Sequence, residues 1–257
     1  MTIEPGFMRR IAAAAAEETL PRFRQSGLVD NKLTSGFDPV TEADRMAEQA
    51  IRALIRATYP EHGIHGEEFG LENESARYQW VIDPIDGTRS FISGMPLWGT
   101  LVGLTDNGDA VAGMMSQPFI GELFWCDGKN SRYEGPHGSE QISTSKVVDV
   151  ADATLCTTTP SMFTGERKVA YDRLESAVKL ARYGTDCYAY AMLAAGNVDL
   201  VVETGLQPYD IIALIPIIEQ AGGVITTWDG GPAEQAGDIV AAATPELHAA
   251  AVKLLQG

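Results

Sequence analysis

The chain has 257 residues, of which 45% are hydrophobic and 21% charged, and its formal net charge is −16. These values are ordinary for a globular protein with one large domain or two closely joined domains. The acidic balance disfavours nucleic acid and anionic membranes as main partners, and no stretch reaches the roughly 18 apolar residues of a membrane span. The three cysteines have wide spacings that match neither a zinc site nor a disulfide framework, so we expect reduced thiols and a cytoplasmic protein.

The predicted elements of the first half, residues 1–148, are two helices followed by an antiparallel sheet. The alanine run at 12–16 is too short, and too soon followed by acidic residues, for a signal peptide, and it predicts the first helix. Thr41 can cap the second helix, whose apolar residues recur with a helical period at positions 47, 50, 51, 54, 55 and 58. Strands are predicted at 80–83, 98–104, 110–116 and 121–126, with turns at Asn107-Gly108 and Asp127-Gly128.

The second half, residues 149–257, predicts an α/β layer. Strands and helices alternate in the order strand 154–159, helix 166–181, helix 187–195, strand 198–203, helix 209–221, strand 224–228, strand 238–243 and a final helix. No segment rich in glycine, serine and proline separates the halves, so we expect them to share an interface.

Two acidic segments precede the strand predicted at 80–83. Asp44 lies three residues after Thr41, which is the spacing of a capping box, but it also lies on the line of the apolar stripe, where a carboxylate needs a partner. Glu67 and Glu68 would ordinarily be solvated, but glycines flank the pair and allow a tight backbone that directs one side chain inward.

The segment 80–88 carries the strongest local signal. An apolar strand ends at Asp83, and Asp86 follows three residues later. Gly87 lets a ligand approach the backbone, and Thr88 can cap a helix whose free N–H groups suit a phosphate. An ordinary Asp-Gly turn explains Asp86 but not Asp83. Two neighbouring carboxylates repel unless a cation lies between them, and oxygen ligands favour Mg²⁺, Mn²⁺ or Ca²⁺ over zinc.

Two later acids are each explained by an ordinary role. Asp210 opens the helix predicted at 209–221 and would serve as an N-cap, and Glu203 ends the strand predicted at 198–203. The informative feature is therefore the order of all these acids along the chain rather than any one of them.

That order resembles the inositol monophosphatase superfamily. The matching residues are Gly66-Glu67-Glu68, then Asp83-Pro84-Ile85-Asp86-Gly87-Thr88, then Asp210 before a helix that ends in Ala221-Gly222-Gly223. The resemblance runs from about Lys32 to Trp228. It implies an αβαβα sandwich, with an antiparallel-sheet half beside a mixed α/β half, and Mg²⁺-dependent hydrolysis of a small phosphate monoester.

The resemblance also implies a cage of oxygen ligands for divalent cations. Glu67, Asp83 and the backbone carbonyl of Ile85 would hold the first, and Asp83, Asp86 and Asp210 the second. Glu67 would help to hold a third through water. We expect two or three Mg²⁺ ions per site, with Mn²⁺ as an alternative, because ions about 4 Å apart can clamp the attacking water and the leaving oxygen.

Three further roles follow from the same resemblance. Thr88, paired with Asp44, would orient and deprotonate the attacking water, with Glu67 also in a catalytic role. The amides of Gly87 and Thr88 would receive phosphate oxygens. Lys32 lies near the place of a lysine that assists the active site in the family.

The substrate is indicated by the strings at 89–100 and 183–190, which look like the histidinol-phosphate phosphatases of this superfamily. Inositol phosphatases usually have a small neutral residue in place of Asp186 and tryptophan in place of Tyr209. Histidinol phosphate carries an ammonium and an imidazole, which can donate charge-assisted hydrogen bonds to carboxylates. The side chains expected to bind substrate are Asp186, Glu203 and Asp210. A helix N-cap is the alternative role for Asp186.

Other interpretations stay open. An inositol-1-phosphate or broad-specificity sugar phosphatase would use the same scaffold, and a noncatalytic metal- or ligand-binding relative would keep the fold. The third alternative is an ordinary α/β protein with acidic helix caps. The complete set of acids argues against the last two. The resemblance further implies a homodimer, whose contact the antiparallel half could supply, with Arg89 at the rim of the site or between subunits.

Overall fold

The computed structural model describes residues 3, 5–25, 29–31, 39–126 and 128–257. Lys32 and Asp127 lie outside the described residues. The α-helices of the described chain are α1 (Pro5–Thr19), α2 (Glu42–Thr58), α3 (Thr88–Ile92), α4 (Gly165–Glu175), α5 (Asp186–Ala194), α6 (Pro208–Ile211), α7 (Leu214–Gln220) and α8 (Pro245–Gln256). Short 3₁₀ turns occur at Val150–Asp152, Pro160–Met162 and Ala233–Gln235. Among the described helices, none is long and apolar enough to cross a membrane.

The first half forms an eight-stranded, mostly antiparallel sheet after a small pair of strands, β1 (Val29–Asn31) and β2 (Pro39–Thr41). The strands of the large sheet are β3 (Gly63–Gly66), β4 (Gly70–Glu72), β5 (Tyr78–Asp86), β6 (Gly99–Asp106), β7 (Asp109–Gln117), β8 (Glu122–Cys126), β9 (Ser131–Gly135) and β10 (Gly138–Gln141). Their order is β10-β9-β8-β7-β6-β5-β3-β4, and β3 pairs parallel with β5. The predicted Asn107-Gly108 turn is confirmed, with φ values of 54° and 98° that suit a two-residue hairpin.

The second half forms a five-stranded mixed sheet. Its strands are β11 (Thr154–Thr157), β12 (Leu180–Tyr183), β13 (Leu200–Leu206), β14 (Val224–Thr227) and β15 (Gly237–Ala242). Their order is β12-β11-β13-β15-β14, with β11 parallel to both of its neighbours.

Two predicted helices of this half are wrong in part. The helix predicted at 166–181 ends at Glu175, because residues 180–183 pair instead with β11 as the edge strand β12. The helix predicted at 209–221 is divided into α6 and α7, since Pro216 has no N–H to donate to the carbonyl of Ile212.

The layers confirm the expected αβαβα sandwich. Helices α1 and α2 cover the outer face of the large sheet, α5, α6 and α7 lie between the sheets, and α4 and α8 cover the outer face of the small sheet. The largest buried apolar cluster contains residues from both halves, from Ile3 to Ala241. The division of the chain at 148/149 stays a prediction.

Two glycines on the large sheet determine how closely the central helices approach the site. A Cβ on Gly113 would lie 1.9 Å from the carbonyl oxygen of Ala213, and one on Gly103 would lie 2.8 Å from its amide nitrogen. The break between α6 and α7 therefore packs directly on β6 and β7. This contact brings the α6 residue Asp210 towards the acidic end of β5.

Candidate active site

An irregularity in β5 directs two acids to one place. The pairing of β5 with β6 shifts register between Asp83 and Asp86. In a regular strand, residues three apart lie on opposite faces, and a bulge removes that alternation. The Ile85 amide donates to Oδ1 of Asp83 at 3.0 Å, and the Thr100 hydroxyl donates to the Pro84 carbonyl at 2.9 Å. Both bonds fix the irregular backbone.

Three of the predicted metal ligands converge. One carboxylate oxygen from each of Asp83, Asp86 and Asp210 lies within 4.8 Å of the others. Oδ2 of Asp86 accepts the amide of Cys187 at 2.7 Å, which ties β5 to the start of α5. Oδ2 of Asp210 accepts the amide of Gln207 at 2.7 Å in a capping box. Asp210 thus occupies the third position of α6 rather than the N-cap.

The electrostatics of this cluster favour a bound cation. Burial raises the pKa of Asp83 well above its usual 3.8, and the nearby acids Glu67, Asp86 and Asp210 raise it further. Burial likewise raises the pKa of Asp86, with Asp186 and Asp210 adding to the effect. Carboxylates this close together cannot all ionise unless a bound cation offsets their repulsion. A set of donors made only of oxygen atoms fits a hard divalent cation.

Glu67 and the Ile85 carbonyl lie beside this cluster. The Glu67 amide donates to the Ile82 carbonyl at 3.1 Å, immediately beyond β3, and its side chain interacts with Asp83. The Ile85 carbonyl accepts the Thr88 hydroxyl at 3.1 Å, while the Ile85 side chain is buried. Their roles as metal ligands stay predictions.

Asp44 makes the helix cap that its spacing predicted. Its Oδ2 accepts the amide and the hydroxyl of Thr41, at 2.8 and 2.6 Å, at the start of α2. Burial raises its pKa to about 6, with a smaller contribution from Glu67. Asp44 and Thr88, both within the described chain, are not joined by a hydrogen bond, because the Thr88 hydroxyl bonds to Ile85. Activation of water by this pair stays a prediction.

The turn after β5 requires glycine at position 87. Gly87 has φ 82°, in the left-handed region, and its Cβ would lie 3.0 Å from Oδ2 of Asp186 and from the Leu97 carbonyl. Gly87 is the N-cap of α3 and Thr88 is the first helical residue, so the expected cap at Thr88 is wrong by one position. Phosphate binding by this turn stays a prediction.

Asp186 lies against the same turn. It is the first residue of α5, with Thr185 as N-cap, so the alternative role as N-cap does not apply. Its φ is 42°, a left-handed conformation that aspartate tolerates better than most residues. Oδ2 accepts the Ser90 hydroxyl at 3.1 Å. Burial raises the pKa of Asp186, and the hydrogen bonds from Thr158 and Ser90 oppose that rise.

Glu203 lies deeper, next to Asp186 in the interior. Its side chain is buried, and Oε1 accepts the amide and the hydroxyl of Thr158 at 2.6 and 3.1 Å. Oε2 is buried and has no hydrogen-bond partner among the described residues. Burial raises its pKa to about 8. Thr158 and Ser90 were not predicted from the sequence, because isolated hydroxyl residues give no local signal. Contact of Glu203 with substrate stays a prediction.

The chain belongs to the inositol monophosphatase family, whose sequence pattern matches residues 6–257. This confirms the resemblance, and the family's members are metal-dependent phosphatases that act on small phosphate monoesters. The chloroplastic bifunctional phosphatase IMPL2 of Arabidopsis thaliana is 42% identical over 96% of this chain and 73% of its own length. Histidinol-phosphatase of Streptomyces coelicolor is 33% identical over 93% of this chain and 91% of its own. The structure of an inositol monophosphatase from Zymomonas mobilis matches with a TM-score of 0.87 and 38% identity, over 98% of this chain and 97% of that one.

Proposed function

We propose that the protein is a Mg²⁺-dependent histidinol-phosphatase, which hydrolyses L-histidinol phosphate to L-histidinol and phosphate. The observation that carries this choice is the position of Asp186, a partly buried carboxyl group whose Oδ2 would lie 3.0 Å from a Cβ added at Gly87. The presence of histidinol-phosphatases among the relatives supports it. A role in histidine biosynthesis follows from the proposed substrate.

Five residues would hold the cations: Glu67, Asp83, Asp86 and Asp210 through their carboxylates, and Ile85 through its carbonyl. Mg²⁺ is the proposed ion, with Mn²⁺ as an alternative, because all the donors are oxygen atoms. Divalent cations bound there would supply positive charge for the phosphate dianion and activate water as the nucleophile.

The remaining groups would orient the phosphate and move the proton. In this proposal the amides of Gly87 and Thr88 donate hydrogen bonds to phosphate oxygens. The attacking water loses a proton to Asp44 by way of Thr88 as the new P–O bond forms and the ester P–O bond breaks. The pKa of about 6 at Asp44 suits a proton acceptor near neutral pH, and the released alkoxide takes its proton from water.

Substrate choice would depend on charge. The ammonium and imidazolium groups of histidinol phosphate are cations, and Asp186 would accept a charge-assisted hydrogen bond from one of them. A cation at that position would also lower the raised pKa of Asp186, so the site and the substrate would stabilise each other's charged forms. The uncharged inositol ring has no cationic group that could form this charge-assisted hydrogen bond with Asp186.

The main alternative is an inositol-1-phosphate phosphatase, or a sugar phosphatase of broad specificity. The similarity to the Zymomonas mobilis inositol monophosphatase supports this alternative. A noncatalytic relative is the alternative of another class, and the converging carboxylates argue against it. We also propose a homodimer, since the exposed apolar side chains Met95, Phe119 and Ile120 of the first half could be covered by a second copy. Sedimentation equilibrium tests the assembly.

A phosphate-release assay on histidinol phosphate and inositol 1-phosphate tests the function. We expect Mg²⁺-dependent turnover with a kcat/KM at least tenfold higher for histidinol phosphate, since a well-formed charged hydrogen bond contributes about 1.5–3 kcal/mol. The variants Asp186→Ala and Asp186→Asn should both lose that preference, and because asparagine tolerates the left-handed backbone, its loss would come from the missing charge and not from the conformation. Equal kcat/KM values for both esters in the unmodified protein would favour the broad-specificity alternative.

A further inference from the structure

A buried ion pair on α2 contacts the segment that carries Glu67. The Glu48 side chain has an exposed fraction of 0%, and that of Arg52 has 4%. Nε of Arg52 donates to Oε1 of Glu48 at 2.7 Å. A buried ion pair is costly unless its remaining hydrogen-bonding positions are filled, so the other contacts of Glu48 indicate what it does.

Those positions are filled by the backbone that follows Glu67. Oε2 of Glu48 accepts the amide of Glu68 at 2.7 Å, and Oε1 accepts the amide of Phe69 at 3.2 Å. The amide of Glu67 itself donates to the carbonyl of Ile82, next to Asp83. Three successive amides are therefore held, one by β5 and two by Glu48.

The approach of Glu48 to this turn also explains the glycine before it. A Cβ on Gly66 would lie 1.9 Å from Oε1 of Glu48, so a larger residue would push the carboxylate away. Arg52 completes the arrangement, since it donates to the Gly70 carbonyl and to Glu72. The turn is thus hydrogen-bonded to side chains of α2 at residues 68, 69 and 70.

We infer that Glu48 is a positioning residue, which holds the turn 67–69 so that the Glu67 carboxylate reaches the Asp83 cluster. Glu48 lies one helical turn after Asp44. Helix α2 would therefore position both Asp44, the proposed proton acceptor, and the turn that carries Glu67, a proposed metal ligand. The inference rests on the proposed function, because it takes Glu67 as a metal ligand.

The test is Glu48→Gln, with Mn²⁺ binding measured by electron paramagnetic resonance. Three donors converge on the two oxygens of Glu48, and the glutamine amide would offer a donor where acceptors are needed. We expect the Mn²⁺ Kd to rise at least tenfold, as is typical when a residue supporting a metal ligand is lost, with kcat at saturating metal reduced much less. Glu72→Gln is the matched control, because Glu72 belongs to the same ion-pair network but is not among the residues that bind the turn 67–69. It should keep the Kd of the unmodified protein.

The outcomes separate the two proposals. If the unmodified protein binds no Mn²⁺, the proposed function fails. If it binds Mn²⁺ and folded Glu48→Gln binds equally well, the inference about Glu48 is overturned. Should Glu48→Gln not fold, amide hydrogen exchange on the unmodified protein decides the question. We expect the amides of Glu68 and Phe69 to exchange at least tenfold more slowly than in an unstructured chain, and unprotected amides there would overturn the inference.

Discussion

The carboxyl group of Glu203 makes the stability of the protein depend on pH. Burial raises its pKa from 4.5 to about 8, and Oε2 has no hydrogen-bond partner in the described chain. A raised folded-state pKa means that the folded protein binds more protons than the unfolded chain between these two values. The contribution to stability is therefore fully present below pH 4.5 and is lost as the pH rises through 8.

The variant Glu203→Gln should remove this pH dependence. At pH 8 we expect its free energy of unfolding to be about 4 kcal/mol higher than that of the unmodified protein. The reason is that each unit of pKa difference corresponds to about 1.4 kcal/mol. Near pH 4.5 the gain should largely vanish. Urea unfolding of the metal-free proteins at both pH values measures the difference. The exposed Glu74→Gln serves as control, and a gain that is the same at pH 4.5 and pH 8 would contradict the assignment.

The contact between the central helices and the large sheet couples the two halves. Gly113 on β7 meets the backbone of Ala213, in the break between α6 and α7, without room for a side chain. Asp210 lies three residues before Ala213. A displacement of this backbone would move one of the three clustered carboxylates relative to Asp83 and Asp86.

The variant Gly113→Ala should therefore weaken both folding and metal binding. We expect a loss of about 1–3 kcal/mol in the free energy of unfolding, typical of an overpacked core, together with a higher Mn²⁺ Kd. Gly63→Ala is the matched control in β3, since the added Cβ would displace the Gln79 amide, which donates to the carbonyls of Asn73, Glu74 and Ala76, and would not touch the Ala213 backbone. Thermal unfolding and a metal titration measure both effects, and an unchanged Kd in a destabilised Gly113→Ala would show that Asp210 does not depend on this contact.

The sequence predicted those elements whose signals are local. Helix α2 follows from its apolar period and from Thr41, and the hairpin at Asn107 follows from its turn residues. Strands β9, β10 and β12 were missed because they lie at or near sheet edges and have largely exposed or partly exposed side chains, without a buried alternating pattern. Pairing with a neighbouring strand determines them, and that information is not local.

The same distinction applies to the site. The acids on β5 and α6 could be predicted because their order along the chain resembles a known family. Glu48 could not, since a glutamate within a helix is ordinarily a solvated residue and its contacts with Glu68 and Phe69 depend on the packing of α2 against the β3–β4 turn. Ser90 and Thr158 could not be predicted as site residues for a similar reason, because their partners Asp186 and Glu203 lie far away in the sequence.

At the scale of the whole molecule, negative charge accumulates at the junction of the two halves. The chain has a formal net charge of −16, and Asp83, Asp86, Asp186 and Asp210 come from three separate segments. Without cations, the raised pKa values of Asp83 and Asp86 contribute stability that is present below about pH 3.8 and is lost as the pH rises through those raised values. A bound cation reverses that trend, because it binds the ionised carboxylates of the folded protein.

Added Mg²⁺ should accordingly raise the Tm, and more so at pH 8 than at pH 5.5. At a concentration of 100 times the Kd, ligand binding contributes about 2.7 kcal/mol, which corresponds to roughly 5–10 °C for a chain of this length. Asp83→Asn removes one of the repelling charges, so it should be more stable than the unmodified protein without metal at pH 8 and should respond little to Mg²⁺. The exposed Asp109→Asn should respond like the unmodified protein. An undiminished Mg²⁺ response in Asp83→Asn would mean that the stabilising cation binds elsewhere, because the cluster would then have lost a ligand without losing the ion.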